Sequence, residues 1–552
     1  MKRILTTTAL VAILAGGAQA QTADELINDT ATPDDVLTYG MGYGQQRFSA
    51  LDQINADNVG GLTPTWVYSL NDGRGQESFP LVRNGKMFVT THNSTVALDV
   101  ATGKQIWKVG LDYPAETPRV VCCGIVNRGA ALFDGKLYRT TLDANVVAMD
   151  QETGEEIWKT NAIDFKDGYS FTVAPLVADG VVIVGISGGE YGIRGFIDGY
   201  DAQTGERLWR RYTIPGPEEA GHETWPEGGD EWTRGGGPAW LTGTYDPELN
   251  TVYWGVGNAG PWNAGVREGD NLYTLSALAL NPKTGEIKWH YQFNPNDPFD
   301  YDAVNELVLA ELDGQKVLMQ ASRNGFYYVI NRETGKLIAA NKFVDRVDWA
   351  HSIDLETGRP NENEELMAKA RGGEQVEIWP SVFGGKNWSA MSFNPETETT
   401  FVHTISHGMN YKAVEPVYRA GTFYFGVEFS WVNNEEFTGS TRALDPMTGE
   451  IKWATKDPSP RLAGILSTAG NVLFTGSQSG EFEVFHQETG EKLYEFNVGS
   501  GIIGQPVTYE IDGKQFVSIA VGSGGAWVPF TGDPNLASTP AGGSIWTFAL
   551  PE

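Results

Sequence analysis

One nine-residue pattern constrains this chain more than any other feature. Asp-x-x-Thr-Gly-x-x-x-Trp runs from Asp99 to Trp107, from Asp150 to Trp158 and from Asp201 to Trp209, at an even spacing of 51 residues. A fixed period of this size marks stacked or radially repeated units that bury their apolar faces only against their neighbours. Looser copies begin at Asn281, Asn331, Asp445 and His486 and place Trp289, Ala339, Trp453 and Tyr494 at the tryptophan position. Each copy joins two alternating runs, such as Ser94–Leu98 and Gln105–Trp107, through a tight turn whose glycine takes positive φ. Further turns stand ahead of many copies at Asn84-Gly85, Asp134-Gly135, Asp179-Gly180, Asp313-Gly314 and Asp512-Gly513. A meander of about four antiparallel strands follows, which is the unit of a propeller blade.

The seven copies gain an eighth from the two ends of the chain. Ser544–Leu550 reads as the strand before a Thr-Gly turn and Leu62–Trp66 as the strand after one, so an N-terminal strand completes the last blade. The expected fold is therefore all-β: an eight-bladed β-propeller with tryptophan-docking repeats, closed by its N-terminal strand, over a single domain from residue 21 to 552. The 114 residues from Asn331 to Asp445 are read as one enlarged blade with loop insertions, and the 80 from Asp201 to Asn281 as a blade carrying Gly- and Trp-rich loops. The repeated tryptophans are expected to pack between neighbouring blades.

Residues 1–20 have the charged, apolar and small-residue order of a secretory signal peptide: Met1-Lys2-Arg3, the run Ile4–Gly16, then Ala18-Gln19-Ala20. The apolar run is shorter than the roughly 20 residues of a membrane span, which makes export to the periplasm the expectation. A net charge of -30 disfavours nucleic acid and anionic membranes as partners and would attract a basic protein, although it serves solubility equally well. The two cysteines are adjacent, Cys122-Cys123. Neighbouring Cα atoms lie about 3.8 Å apart, closer than the usual disulfide span of about 4.4 to 6.8 Å, and a bond between them staples no loop. No Cys-x-x-Cys-His exists to hold a c-type haem, so electrons must leave on a separate protein.

A series of motifs then appears in order: Gly75-Gln76-Glu77-Ser78, Cys122-Cys123 with Asn127-Arg128-Gly129, Thr172-Val173-Ala174-Pro175, Ser187-Gly188-Gly189-Glu190, Arg234–Trp240, Trp254–Asn263, Asp300-Tyr301-Asp302, Arg323-Asn324-Gly325, Gly385-Lys386-Asn387-Trp388 and Gly525-Ala526-Trp527. In this order they resemble the pyrroloquinoline-quinone-dependent methanol and ethanol dehydrogenases over nearly the whole mature chain.

The resemblance implies that Glu77, Arg128, Thr172, Ser187, Gly188, Gly189, Arg323, Asn387 and Trp527 contact pyrroloquinoline quinone (PQQ). It implies a Cys122–Cys123 disulfide against one face of the quinone and Trp240 stacked on the other. Arginine suits position 128 because its planar fork pairs with a carboxylate at two points. Pro238 stands where many members have a cofactor-bonding threonine.

Glu190, Asn258 and Asp300 fall on the family's metal positions. They offer only oxygen donors, which suits a hard cation. Asp302 adds a carboxylate that marks the lanthanide-dependent branch, and Gly189, where calcium enzymes often have Ala, agrees. A lanthanide is expected, with calcium as the alternative. The implied chemistry is hydride transfer from a primary alcohol to metal-bound PQQ, giving an aldehyde. Asp300 serves as general base, the metal as Lewis acid and Arg323 as stabiliser of developing charge.

The implied partners are the alcohol, a soluble cytochrome c and, as an open alternative, a second copy of the chain in a homodimer. Bulkier secondary alcohols, polyols or sugars are the alternative substrates, and a non-catalytic propeller scaffold the alternative of another class. Trp225, Trp232, Trp262, Tyr424 and Trp431 are candidates for the wall of the entrance. His403 and His407 sit in a strand-like run that separates them by about 13 Å, without zinc-site spacing, and are left unassigned.

Overall fold

A computed structural model describes residues 22–432 and 436–551; the leader read at residues 1–20 lies outside them. Among the described residues, eight antiparallel sheets of four strands follow one another along the chain. The first uses Leu81–Arg83, Lys86–Thr90, Ser94–Asp99 and Gln105–Gly110. One sheet gains a fifth strand where Phe48–Ser49 runs parallel to Leu466–Thr468. The eighth joins both ends of the fold: Thr63–Ser69 pairs antiparallel with Ser544–Ala549, which pairs in turn with Lys514–Val521.

Burial explains the residue pattern within a sheet. Middle strands such as Val181–Gly185 are buried throughout because each blade is covered on both faces by its neighbours. The outermost strand, such as Gln105–Gly110, is wet on one side, and only Trp107 and Val109 turn inward.

The repeat motif is the joint between blades. Asp99 Oδ1 accepts from the backbone N–H of Thr102 at 2.9 Å and from its hydroxyl at 2.6 Å, which locks the turn. Gly103 then takes φ +68 directly against the indole of Trp66, where a Cβ would lie 2.5 Å from the ring. Trp66 Nε1 donates to Val100 O at 2.9 Å. The same geometry recurs for Trp107 on Gly154, Trp158 on Gly205, Trp209 on Gly285, Trp289 on Gly335 and Trp453 on Gly490. Where Ala339 replaces tryptophan, Asn341 lies against Gly449 and donates to Met447 O at 3.1 Å. Tyr494 donates from its hydroxyl to Leu62 O at 2.9 Å, linking the last copy of the motif to the N-terminal strand.

The stretch between Asn331 and Asp445 holds one blade, Ser392–Asn394, Thr399–Ile405, Gly439–Leu444 and Ile451–Ala454, together with insertions that are themselves ordered. They comprise a hairpin of Ala350–Ile353 and Pro360–Glu362, the helix Glu364–Arg371, and a three-stranded sheet of Val376–Ile378, Gly408–Ala413 and Val427–Val432. The hairpin turns on a further Asp-x-x-Thr-Gly, Asp354 to Gly358, which meets Tyr291 in place of tryptophan. No described helix is long and apolar enough to cross a membrane.

Candidate active site

In a four-stranded meander, the entry to the innermost strand and the turn joining the second and third strands lie at the same end of the blade. The Thr-Gly turn lies at the other. Every candidate segment uses the first end. Glu77, Cys122–Arg128, Thr172, Trp240, Asp300 and Asn387 precede innermost strands, whereas Ser187–Glu190, Asn258 and Arg323 lie between second and third strands. Trp527 opens a short helix, Trp527–Thr531, between the last two strands. One cavity is therefore lined by Glu77, Cys122, Cys123, Arg128, Thr172, Ser187, Gly188, Glu190, Trp240, Asp300, Arg323, Asn387 and Trp527. Gly189, Asn258 and Asp302 are not on the lining, but Asp302 contacts the lining residues Arg323 and Trp240, and Asn258 Oδ1 lies beside Gly189, between the lining residues Gly188 and Glu190.

Asp300 is carried on a turn whose shape is set by a second carboxylate. Asp297 Oδ2 accepts from the backbone N–H groups of Phe299 at 3.2 Å and Tyr301 at 3.0 Å, and Asp300 takes φ +61. Tyr301, fully buried, ties the turn to Pro380 O through its hydroxyl at 2.5 Å. Arg323 Nη1 meets Asp300 Oδ2 at 3.2 Å and donates to Asp300 O at 3.0 Å; its Nη2 lies 3.2 Å from Asp302 Oδ2.

Asp302 is 1% exposed and is held from three directions, since Asn258 N–H also donates to its Oδ1 at 2.5 Å and Trp240 Nε1 to its Oδ2 at 3.1 Å. Burial, and then the charge of Asp302, push Asp300 well above the usual carboxylate range despite Arg323. The same two causes raise Glu190 to about 7.

These features fit a hard cation. Three carboxylates crowd one arginine, and Asn258 Oδ1 and Asp300 Oδ1 are buried without a hydrogen-bond partner, an arrangement that is costly unless a positive charge completes it. Backbone space is reserved for the donors: a Cβ on Gly189 would lie 2.5 Å from Asn258 Oδ1, and one on Gly257 would lie 2.2 Å from Asp302 Oδ1. Pro238 fills the gap beside both glycines, within 2.9 Å of either hypothetical Cβ. The carboxylate of Glu190 also falls within 4.8 Å of both cysteine sulfurs, but these are bonded to each other and offer no thiolate.

The other half of the cavity suits a flat, anionic group. Cys122 and Cys123 form a disulfide. Arg128 pairs with Glu77 at 2.7 Å, donates to Thr172 Oγ1 at 2.6 Å, and lies 4.7 Å from the Trp240 ring centre and 5.5 Å from that of Trp388. Burial raises Glu77 against the pull of Arg128. Thr172 Oγ1 and Ser187 Oγ are 3.0 Å apart. Asn387 donates to Phe383 O at 3.0 Å and accepts from Trp388 N–H at 2.9 Å. Trp527 is anchored through Nε1 to Asp533 Oδ2 at 2.8 Å.

Of the five aromatic residues expected at the entrance, only Trp262 lines the cavity. Trp431 packs behind it against Phe383 and Phe429. Trp225 donates to Leu272 O and packs beneath the Gly235 loop, Trp232 meets His222 edge to face and carries Arg194 over its ring, and Tyr424 packs against Gly192 and Tyr418. Tryptophan and tyrosine content alone does not distinguish a ring that faces a cavity from one that packs beneath a glycine loop. The lining also includes Phe383, Phe425, Phe429, Leu462 and Phe530, none of which falls in a repeat or motif, Phe383 standing two residues ahead of Gly385. His403 hydrogen-bonds Thr441 at 2.9 Å and Thr475 at 2.8 Å in the core.

Comparison with known proteins agrees with this geometry. The family model for the β-propeller domain of glucose/ethanol/alcohol dehydrogenases that use PQQ matches residues 37–342 and 428–517. The chain is 40% identical to the quinoprotein alcohol dehydrogenase PedH of Pseudomonas putida, covering 98% of this chain and 95% of PedH. It is also 40% identical to a quinoprotein ethanol dehydrogenase of Pseudomonas aeruginosa, over 98% and 94%. Among solved structures, a europium-containing methanol dehydrogenase superposes with a TM-score of 0.90 at 35% identity, covering 96% of this chain and all of that one. The quinohemoprotein alcohol dehydrogenase of Comamonas testosteroni gives 0.90 at 36%, over 96% and 82%.

Proposed function

From the premise that this chain belongs to the PQQ-dependent alcohol dehydrogenase family, we propose that it oxidises a primary alcohol to an aldehyde in the periplasm, with a lanthanide ion beside PQQ and a soluble cytochrome c as electron acceptor. Membership makes the chain a quinoprotein alcohol dehydrogenase. The metal, the acceptor and the residue roles are our reading.

When bound, PQQ with its cation supplies an electrophilic hydride acceptor. The protein's part is to bind, align and deprotonate. Glu190, Asn258, Asp300 and Asp302 would hold the cation; Arg128, Glu77, Thr172, Ser187, Gly188, Gly189, Asn387 and Trp527 would hold the cofactor between the Cys122–Cys123 disulfide and Trp240. Asp300 takes the alcohol's hydroxyl proton as general base. Arg323, which already contacts both Asp300 and Asp302, stabilises negative charge as it develops nearby.

One observation supports the lanthanide over calcium: Asp302 is fully buried and braced, within a cluster whose like charges need more compensation than one arginine gives. A trivalent ion matches that excess better than a divalent one. The test is dye-linked alcohol oxidation after reconstitution with PQQ and either lanthanum or calcium. Activity with lanthanum alone supports the reading, and activity with calcium alone replaces the metal while keeping the enzyme.

A further inference from the structure

We infer that the segment from Val414 to Phe429 is the specificity element of this active site, and that its aromatic wall selects alcohols carrying an extended apolar, preferably aryl, substituent. The inference rests on the proposed alcohol oxidation and names the substrate class for the same site.

Phe425 and Phe429 line the cavity that also exposes Asp300 and Arg323. Phe425 belongs to a continuous ladder of stacked rings, and Phe429 meets the Trp262 end of it at 6.2 Å and a tilt of 41°. Trp262 stacks on Phe425 with centroids 4.3 Å apart, Phe425 on Phe423 at 4.8 Å, and Phe423 on Tyr191 at 5.0 Å, all within 28° of parallel. The ladder passes through Phe423, outside the lining and 48% exposed, to the buried Tyr191, and Phe530 on the cavity's lining is 40% exposed. Rings left wet beside a reacting centre gain most from a ligand that covers them, and a flat ring does so with favourable stacking geometry. Methanol or ethanol placed at Asp300 is too short to cover such a wall. A polyol or sugar would lose hydration against these rings without polar partners in return.

The wall is rigidly tied to the chemistry. Tyr424 N–H donates to Glu190 O at 2.7 Å, Trp262 N–H to Phe425 O at 2.8 Å, and Val414 N–H to Gly426 O at 2.9 Å. Asn263 Nδ2 adds a bond to Val414 O at 2.9 Å. The segment therefore grips the backbone of Glu190 with one residue and offers a substrate surface with the next.

The experiment compares kcat/KM for 3-phenylpropan-1-ol and for ethanol in the reconstituted holoenzyme and in Phe425→Ala and Phe429→Ala. It also measures quenching of tryptophan fluorescence by 2-phenylpropan-2-ol, a tertiary alcohol that cannot be oxidised to a carbonyl. The wild type should prefer the aryl alcohol, and each variant should lower the aryl-to-ethanol ratio about tenfold, chiefly through KM. Affinity for the tertiary alcohol should fall in parallel. A wild type with no aryl preference, or variants that lose both substrates equally and leave the ratio in place, would overturn the inference while alcohol oxidation stands. Binding of the tertiary alcohol that depends on Phe425, in a protein that oxidises no alcohol, would uphold the wall and reject the oxidation.

Discussion

Asp302 and Asn258 are joined by a 2.5 Å hydrogen bond from the Asn258 backbone N–H to Asp302 Oδ1. The carboxylate that distinguishes this chain's acidic cluster thus also fixes the backbone of the neighbouring amide donor, so the two positions act as a unit.

Replacing Asp302 with Ala should weaken lanthanide binding by about 10- to 100-fold, the usual penalty for losing a group that holds metal ligands in place, and more if it ligates directly. Terbium luminescence sensitised by the nearby tryptophans reads this without turnover. Unchanged terbium affinity together with intact lanthanum-supported activity would reject the role given to Asp302.

Gly189→Ala and Gly257→Ala test the space around those donors. The new methyl groups would lie 2.5 Å from Asn258 Oδ1 and 2.2 Å from Asp302 Oδ1, and neither donor can retreat without breaking its own bonds. Both variants are expected to lose metal affinity while melting within a few degrees of the wild type. Equal affinity in either would show that the donors move freely.

The blade joint gives a matched pair of stability measurements. Gly103 and Gly85 share positive φ, +68 and +73, but a Cβ at 103 strikes the Trp66 ring, whereas one at 85 meets nothing within 4 Å. Gly85→Ala should cost about 1 kcal/mol for backbone conformation, and Gly103→Ala an additional 1–3 kcal/mol or so for overpacking. Chemical denaturation separates the two, and equal losses would mean that the indole contact carries no constraint.

His403 predicts a pH effect. Burial, then the charges of Arg461 and Lys386, hold it well below its ordinary value, so the unfolded chain takes up a proton near pH 6.5 that the folded one refuses. Its stabilising contribution is complete above about pH 6.5 and declines as pH falls, by about 1.4 kcal/mol per unit. Asp29, raised to about 6 by burial, works in the opposite direction, so the quantity to measure is the difference between wild type and His403→Gln. That difference should shrink steadily from pH 6.5 to 5; a constant one would mean that the imidazole is charged in the fold.

Cys122→Ala combined with Cys123→Ala should shift unfolding free energy by less than about 1 kcal/mol, because adjacent cysteines close no chain loop. The double variant should nonetheless retain less PQQ through gel filtration. A large fall in stability with full retention would make the bond structural.

Much of this was legible in the sequence because the chemistry at the blade joint repeats. A turn capped by Asp and Thr, a glycine with no room for a side chain, and an indole that covers it all leave letters at fixed spacing. Legibility stopped where the same job is done by other residues. Asn341 replaces an indole two positions away from where the repeat would place it, and Asp354–Gly358 is followed by Arg359-Pro360 instead of a tryptophan-bearing strand. At the site, the carboxylates, arginines and vicinal cysteines stand in recognisable motifs, whereas Phe425 and Phe429 come from insertions whose three-stranded sheet obeys no repeat, and Phe530 from the short helix Trp527–Thr531. Trp225 and Trp232 look like pocket residues by composition, and only their glycine and arginine neighbours reveal otherwise.

The strand Ser544–Ala549 lies between Thr63–Ser69 and Lys514–Val521, and the bond from Thr63 to Ala549 spans 486 residues of sequence. During synthesis, then, Thr63–Ser69 waits for the 486 residues that separate Thr63 from Ala549 before it is fully paired. A transcript truncated before codon 544 would leave Thr63–Ser69 as an unpaired edge, a template for aggregation and a target for quality control. Trp527 lines the cavity from within that closing blade, so the cavity wall is complete only once those strands have paired.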